Sequence, residues 1–178
     1  TPLYIASQNG HVEVVRALLD RGADIDKVRD DGATPLVFAS KEGEAEVVWA
    51  LPLRGAHTDK ARDGGANPLF MASQQGHVEV MRMLLDQGAD IDKARDSGVT
   101  PLYIASQNGH AEVVSVLLER GADIDKARDD GATPLYIASQ NGHVEVVRAL
   151  LDRGADIDKV RDDGATPLVF ASKEGEAE

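Results

Sequence analysis

Four histidines recur at multiples of one spacing: His11, His77, His110 and His143. Regularly placed imidazoles suggest a metal site. The same regularity argues against one. Equivalent side chains on neighbouring packed helices stand ~8–10 Å apart, whereas metal–nitrogen bonds are ~2 Å long. Equivalent histidines therefore cannot share an ion, and a hydrogen bond tying one turn of chain to the next is the expected role. Six serines recur likewise, at Ser7, Ser40, Ser73, Ser106, Ser139 and Ser172. A serine nucleophile needs a base held beside it, and none recurs at a fitting spacing. Capping or back-bonding to the local helix is expected instead. Asp24-Ile25-Asp26 is like the opening of a calcium loop, but such a loop needs an oxygen ligand at its fifth position and glycine at its sixth. Val28 and Arg29 stand there. The chain has no cysteine, which excludes disulfides, thiolate metal sites, iron–sulfur clusters and thiol catalysis. No glycine-rich phosphate loop is present. No catalytic, cofactor or metal chemistry is expected from this stretch of chain.

A repeat places these residues. Thr-Pro-Leu begins at Thr1, Thr34, Thr100, Thr133 and Thr166, and Asn-Pro-Leu at Asn67, all at multiples of 33 residues. The chain divides into five full units, 1–33, 34–66, 67–99, 100–132 and 133–165, and a partial one, 166–178. Residues 1–46 and 133–178 are identical. A block has been copied, and the chain reads as a fragment of a longer array.

Each unit follows the same local logic. In the first, Thr1 is placed to N-cap a helix that opens with Pro2, where a missing N–H is harmless. Gly10 ends that helix. A second helix starts near Val12, with Val14, Val15, Leu18 and Leu19 on one side and Glu13, Arg16 and Asp20 on the other. Gly22 ends it. Ile25 is the lone large apolar residue of the charged stretch that follows, and Asp31-Gly32 reverses the chain into the next Thr-Pro-Leu. Helices this short do not persist alone in water, where ~12–15 residues are already marginal. Each unit must bury its stripe on its neighbours, which makes the chain a solenoid.

The stretch TPLYIASQNGHVEVVRALLDRGAD closely resembles the ankyrin repeat signature, and the likeness runs through all 178 residues. That resemblance implies an all-α repeat solenoid of stacked helix-turn-helix ankyrin units with projecting β-hairpin or turn fingers. It also implies a role in binding other macromolecules, mostly proteins.

Several positions depart from the signature. Tyr4, Val37, Phe70, Tyr103, Tyr136 and Val169 replace its histidine and form an apolar ladder, either for packing between units or as a stacking platform. Arg29, Arg62, Arg95, Arg128 and Arg161 run beside Asp30, Asp63, Asp96, Asp129 and Asp162. Pairing among them is expected to be weak, on solvated fingertips or on a charge-patterned contact surface. Glu44 and Glu176 replace the repeating histidine. Unit 2 is the irregular one. It carries Trp49 for Arg16, Pro52-Leu53 for Leu19-Asp20, His57-Thr58 for Asp24-Ile25, and Gly64 for Asp31. Proline near a helix end removes a bond and crowds a carbonyl, so the second helix of unit 2 is expected to end early and its finger to be loose. Trp49 is expected either to stack on Arg16 or Arg82 or to anchor a partner.

With 31 acidic and 19 basic residues, the net charge is −12. Such a surface repels nucleic-acid phosphates and anionic headgroups, and no apolar run approaches the ~20 residues that span a bilayer. Neither nucleic acid nor membrane is an expected partner. A non-catalytic protein-protein interaction scaffold is the first functional expectation, with another protein as partner. The end of each first helix varies little, from Gln8-Asn9 and Gln107-Asn108 to Lys41-Glu42, Gln74-Gln75 and Lys173-Glu174. Such uniformity suits a structural spacer or a self-stacking array, the alternative. The candidate partner-binding residues cluster where uniformity fails: Trp49, Lys41, Glu42, Gln74 and Gln75, with Asp30 and Asp63 on the fingers. Leu3, Val15 and Leu19 are expected to lie exposed at the front, favouring head-to-tail self-association.

Overall fold

The computed structural model describes residues 1–159, 161 and 162. The expectations for Val169, Ser172, Lys173, Glu174, Glu176 and the partial unit 166–178 fall outside the described residues.

Ten helices occupy the described residues, two per unit. The first helices are α1 (Pro2–Gln8), α3 (Pro35–Glu42), α5 (Pro68–Gln75), α7 (Pro101–Gln107) and α9 (Pro134–Gln140). The second are α2 (Val12–Asp20), α4 (Ala45–Leu53), α6 (Val78–Asp86), α8 (Ala111–Glu119) and α10 (Val144–Asp152). Thr-Pro starts each first helix for the reason its chemistry suggests. Thr100 Oγ1 accepts the Tyr103 N–H at 3.1 Å, and Asn67 Oδ1 does the same for Phe70 at 2.8 Å. Proline fills the next position, where no donor is needed.

The second helices close in a double-bonded glycine cap. In α2 the Ala23 N–H reaches Leu18 O at 3.0 Å and the Gly22 N–H reaches Leu19 O at 3.0 Å. Gly22 takes φ +82°, which only glycine adopts cheaply.

First helices stack on first helices, second on second, and each pair packs together, giving two layers. The core between the layers takes Leu36, Leu51, Leu69, Leu84, Leu102 and Leu117, all fully buried. A second apolar row joins the first helices to the turns before them, through Val37, Phe70, Tyr103 and Tyr136. The projections between units are tight turns. The Arg29 N–H donates to Ala33 O at 3.0 Å and the Gly32 N–H to Arg29 O at 2.9 Å, and later units repeat this. No strand occurs among the described residues.

Three expectations need correction here. Helix α4 does not end early: it runs nine residues to Leu53, as its counterparts do. Pro52 lies in the last turn, where its own carbonyl accepts the Gly55 N–H at 2.9 Å and Leu51 O accepts the Ala56 N–H at 3.1 Å. The cap needs only carbonyls at those positions, so proline removes one helical bond without unwinding the end. Nor is the finger of unit 2 loose. The Arg62 N–H reaches Ala66 O at 3.0 Å and the Gly65 N–H reaches Arg62 O at 3.0 Å, because Gly64 and Gly65 accept φ +80° and +81° without strain.

The front face differs as well. Leu3 and Val15 are buried and Leu19 is half-buried, whereas Ile5 is 56% exposed and Val14 49%. Leu3 and Val15 pack within the core of their own and the following units. Ile5 and Val14 correspond to Phe38 and Val47, positions that internal units cover with the unit before them.

Candidate functional site

Histidine links one unit to the next. His77 Nε2 donates to Lys41 O at 2.9 Å, His110 to Gln74 O at 3.0 Å and His143 to Gln107 O at 2.9 Å. This is the expected tie, and it occupies each ring singly. Each imidazole lies against a glycine of the unit before, Gly43, Gly76 or Gly109, where a Cβ would clash. Glu44 takes the place of the ring beside Gly10. Asn108 and Asn141 add a second donor to Gln74 O and Gln107 O, each at 2.8 Å. Gln75 stands at the corresponding place in unit 3, so the carbonyl of Lys41 has His77 alone.

The recurring aspartates are also engaged. The carboxylate of Asp59 accepts the Asp90 backbone N–H at 3.0 Å, and Asp92 accepts that of Asp123 at 3.2 Å. Burial holds the Asp92 carboxyl above its ordinary range. In unit 2 His57 Nδ1 meets the Asp26 carboxylate. Among the described residues no group of three or more His, Cys, Asp or Glu side chains is gathered to hold a metal ion. No helix there is long and apolar enough to cross a membrane.

The aromatic ladder packs between units rather than offering an open platform. Val37, Phe70, Tyr103 and Tyr136 are buried, and Tyr4 is partly open. An arginine caps each ring: Arg95 over Phe70 at 5.3 Å, Arg128 over Tyr103 at 5.6 Å and Arg161 over Tyr136 at 5.7 Å. Arg29 lies over both Tyr4 and Phe38. These cation–π contacts were missed from sequence, although the constant offset of 25 residues between ring and arginine carries the signal. The arginines also pair one residue further on than expected, Arg29 with Asp31 and both Arg128 and Arg161 with Asp130. The Arg128 guanidinium, hydrogen-bonded to Asp130, lowers that carboxyl to about 2. Burial raises the Tyr103 hydroxyl.

Among the described residues the recurring serines do not cap or back-bond. Ser7, Ser40, Ser73 and Ser106 are fully buried and their hydroxyls have no hydrogen-bond partner. The packed interface between helices uses them as small residues. Ser115, on a second helix, does back-bond, to Ala111 O at 3.0 Å.

The candidate partner-binding residues occupy three places. Lys41 and Glu42 end α3 and pair with each other at 3.2 Å. Gln74 and Gln75 end α5 at the equivalent positions, so these four form one row along the first helices. Asp30 and Asp63 lie exposed on the turns. Trp49 lies on α4, in the other layer, and is 49% exposed. It does not stack on arginine: Arg16 is engaged by Glu13 at 2.9 Å, one turn back on its own helix.

Beside Trp49 lie Leu53, part of the irregular Pro52-Leu53 pair, and Gln87, which the sequence did not single out. Leu53, four residues on and therefore on the same face of α4, is 65% exposed. In the other units that position is acidic, and in units 1, 3 and 4 it pairs with an arginine of the next unit: Asp20 with Arg54, Asp86 with Arg120 at 2.7 Å, and Glu119 with Arg153 at 3.2 Å. Between units 2 and 3 both partners change together, to Leu53 and Gln87. Comparing the columns across units, rather than reading unit 2 alone, reveals the paired change. Gln87 Nε2 turns to Trp49 O at 3.5 Å, and its Oε1 is buried without a partner. Next to it an open cleft of about 660 Å³ is lined by Pro52, Ala56, His57, Thr58, Asp59, Lys60 and Gln87.

Paired helices in two layers, joined by tight turns and tied by side-chain ladders between neighbours, define a repeat solenoid. The family model for ankyrin repeats matches in three copies, over residues 1–62, 53–128 and 124–178. The chain belongs to the ankyrin repeat family. Members of that family are generally protein–protein interaction modules and typically non-catalytic. No curated protein matches the chain.

Proposed function

We propose that the chain is a non-catalytic protein-protein interaction scaffold whose specific docking surface is centred on unit 2. The observation that carries this reading is the half-exposed pair Trp49 and Leu53, on a helix face where every other unit presents polar or charged side chains. Exposed tryptophan is a frequent anchor of binding energy, and a contact surface for one partner needs side chains that differ between units. Lys41, Glu42, Gln74 and Gln75 on the first-helix row, and Asp30 and Asp63 on the turns, are proposed as further contacts. A structural spacer or self-stacking array is the second reading, favoured by the identity of residues 1–46 and 133–178.

The test uses the immobilised chain and its Trp49→Arg/Leu53→Asp variant, which restores the residue types of neighbouring units. A protein retained by the first and released at least ~10-fold more readily by the second supports the scaffold. Equal retention by both, or no retained protein, favours the spacer.

A further inference from the structure

Unit 2 differs from its neighbours by a linked set of changes on one surface, and together they describe what would bind there. Trp49 and Leu53 form an apolar stripe along α4. Pro52 and Thr58 replace the leucine and isoleucine that in other units, as Leu85 with Ile91 and Leu118 with Ile124, pack on the core. The cleft opens there. Gln87, which replaces an arginine, places an unpartnered buried acceptor, Oε1, on the cleft wall. Of the basic side chains lining the cleft, Lys60 donates to Asp26 O at 3.2 Å and His57 is held by the Asp26 carboxylate.

Charge along the same layer points the same way. Glu13 and Glu145 are each paired with an arginine three residues on. Glu46 has no such partner, because Trp49 occupies that place. Glu79 and Glu112, at the same position in the next two units, form no salt bridge either. Three unpaired carboxylates thus run beside the apolar stripe, on a chain of net charge −12.

We infer that the second-helix face of unit 2 docks a cationic amphipathic segment of a partner protein. Its apolar side chain lies on Trp49 and Leu53, and a lysine or arginine enters the cleft to donate to Gln87 Oε1. The aliphatic stem of such a residue suits the apolar wall of Pro52 and Ala56 while its head meets the acceptor. The remaining basic residues face Glu46, Glu79 and Glu112. This rests on the scaffold reading above and assigns the chemistry of its partner.

Trp49 is the sole tryptophan, so its emission reports this surface directly. The probes are two synthetic amphipathic helical peptides of one pattern, leucine with lysine and leucine with glutamate. The leucine–lysine peptide should shift Trp49 emission to shorter wavelength, saturably, with affinity falling as salt rises. The glutamate peptide should leave it unchanged. The Leu53→Asp/Gln87→Arg variant keeps Trp49 and the net charge and recreates the ion pair of neighbouring units. It should bind the lysine peptide at least ~10-fold more weakly. Equal binding by both peptides, no spectral response, or unaltered binding by the double variant would overturn the assignment. If the lysine peptide fails while a protein partner still depends on Trp49 and Leu53, the scaffold stands and this partner chemistry falls.

Discussion

Pro52 and Thr58 should make unit 2 the least protected part of the array, and replacing them should repair it. Because the cap of α4 is intact, proline does not incur the full ~3 kcal/mol of a mid-helix break. The loss is the single N–H that would meet the carbonyl of Val48, at about 0.5–1.5 kcal/mol. Thr58 stands where Ile91 and Ile124 pack on the core. Exchanging its hydroxyl for the larger apolar side chain is worth about 0.8 kcal/mol per buried CH₂. The Pro52→Leu/Thr58→Ile variant should therefore gain about 2 kcal/mol, or roughly 30-fold in the local opening equilibrium. In a repeat array such a term acts mainly on its own unit and interfaces, so amide hydrogen exchange is a better assay than a single melting temperature. In the native chain, amides of Ala45–Leu53 should exchange faster than those of Ala111–Glu119. In the variant the gap should close. Equal protection of the two helices in the native chain, or no change on substitution, would refute the reasoning. Both residues line the cleft beside Gln87, so the same variant should bind the cationic peptide more weakly: stability and docking oppose each other here.

Other perturbations follow from the ladders. Gly109→Ala should destabilise more than Gly121→Ala by thermal or denaturant unfolding: both glycines have positive φ, but a Cβ at 109 would meet the His143 ring at 2.8 Å whereas nothing lies near 121. His77→Ala should cost about 1–3 kcal/mol in denaturant unfolding and exceed His110→Ala, because Gln74 O keeps the Asn108 donor whereas Lys41 O loses its partner. Asp130, with its folded pKa lowered to about 2 by Arg128, stabilises the fold above the unfolded value of about 3.9, and this contribution is lost as pH falls from about 4 towards 2. Acid titration of stability should therefore be shallower for Asp130→Asn over that interval, by about 1 kcal/mol at most because the pair is partly exposed to solvent.

The helices, their caps and their order could be read from Thr-Pro-Leu and the glycines, because those residues act locally: Thr100 caps the helix it precedes, and Gly22 closes the helix it follows. The histidine ties also followed from the repeat, since a regular position in a solenoid faces a regular neighbour, and burial decides the tyrosine column for packing, one of the two roles open from sequence. Pro52 misled because its effect depends on which backbone groups the cap uses, and the cap uses its carbonyl. The serines misled because a hydroxyl on a short helix can be chosen for its size. The stripe of Trp49 and Leu53, the companion change at Gln87 and the stacking of arginine on aromatic rings are contacts between units. They become legible only when positions 20, 53, 86, 119 and 152 are compared with 21, 54, 87, 120 and 153.

On the proposed reading, unit 2 of this ankyrin array contacts a partner through its second-helix face. Photo-crosslinking tests it most directly, with a photoreactive residue at position 46 on α4 in one variant and at the equivalent position 145 on α10 in another. Both positions are exposed glutamates in the first turn of a second helix. Position 46 should crosslink to a second protein and position 145 should not. Crosslinks of equal yield from both positions, or from 145 alone, would contradict it.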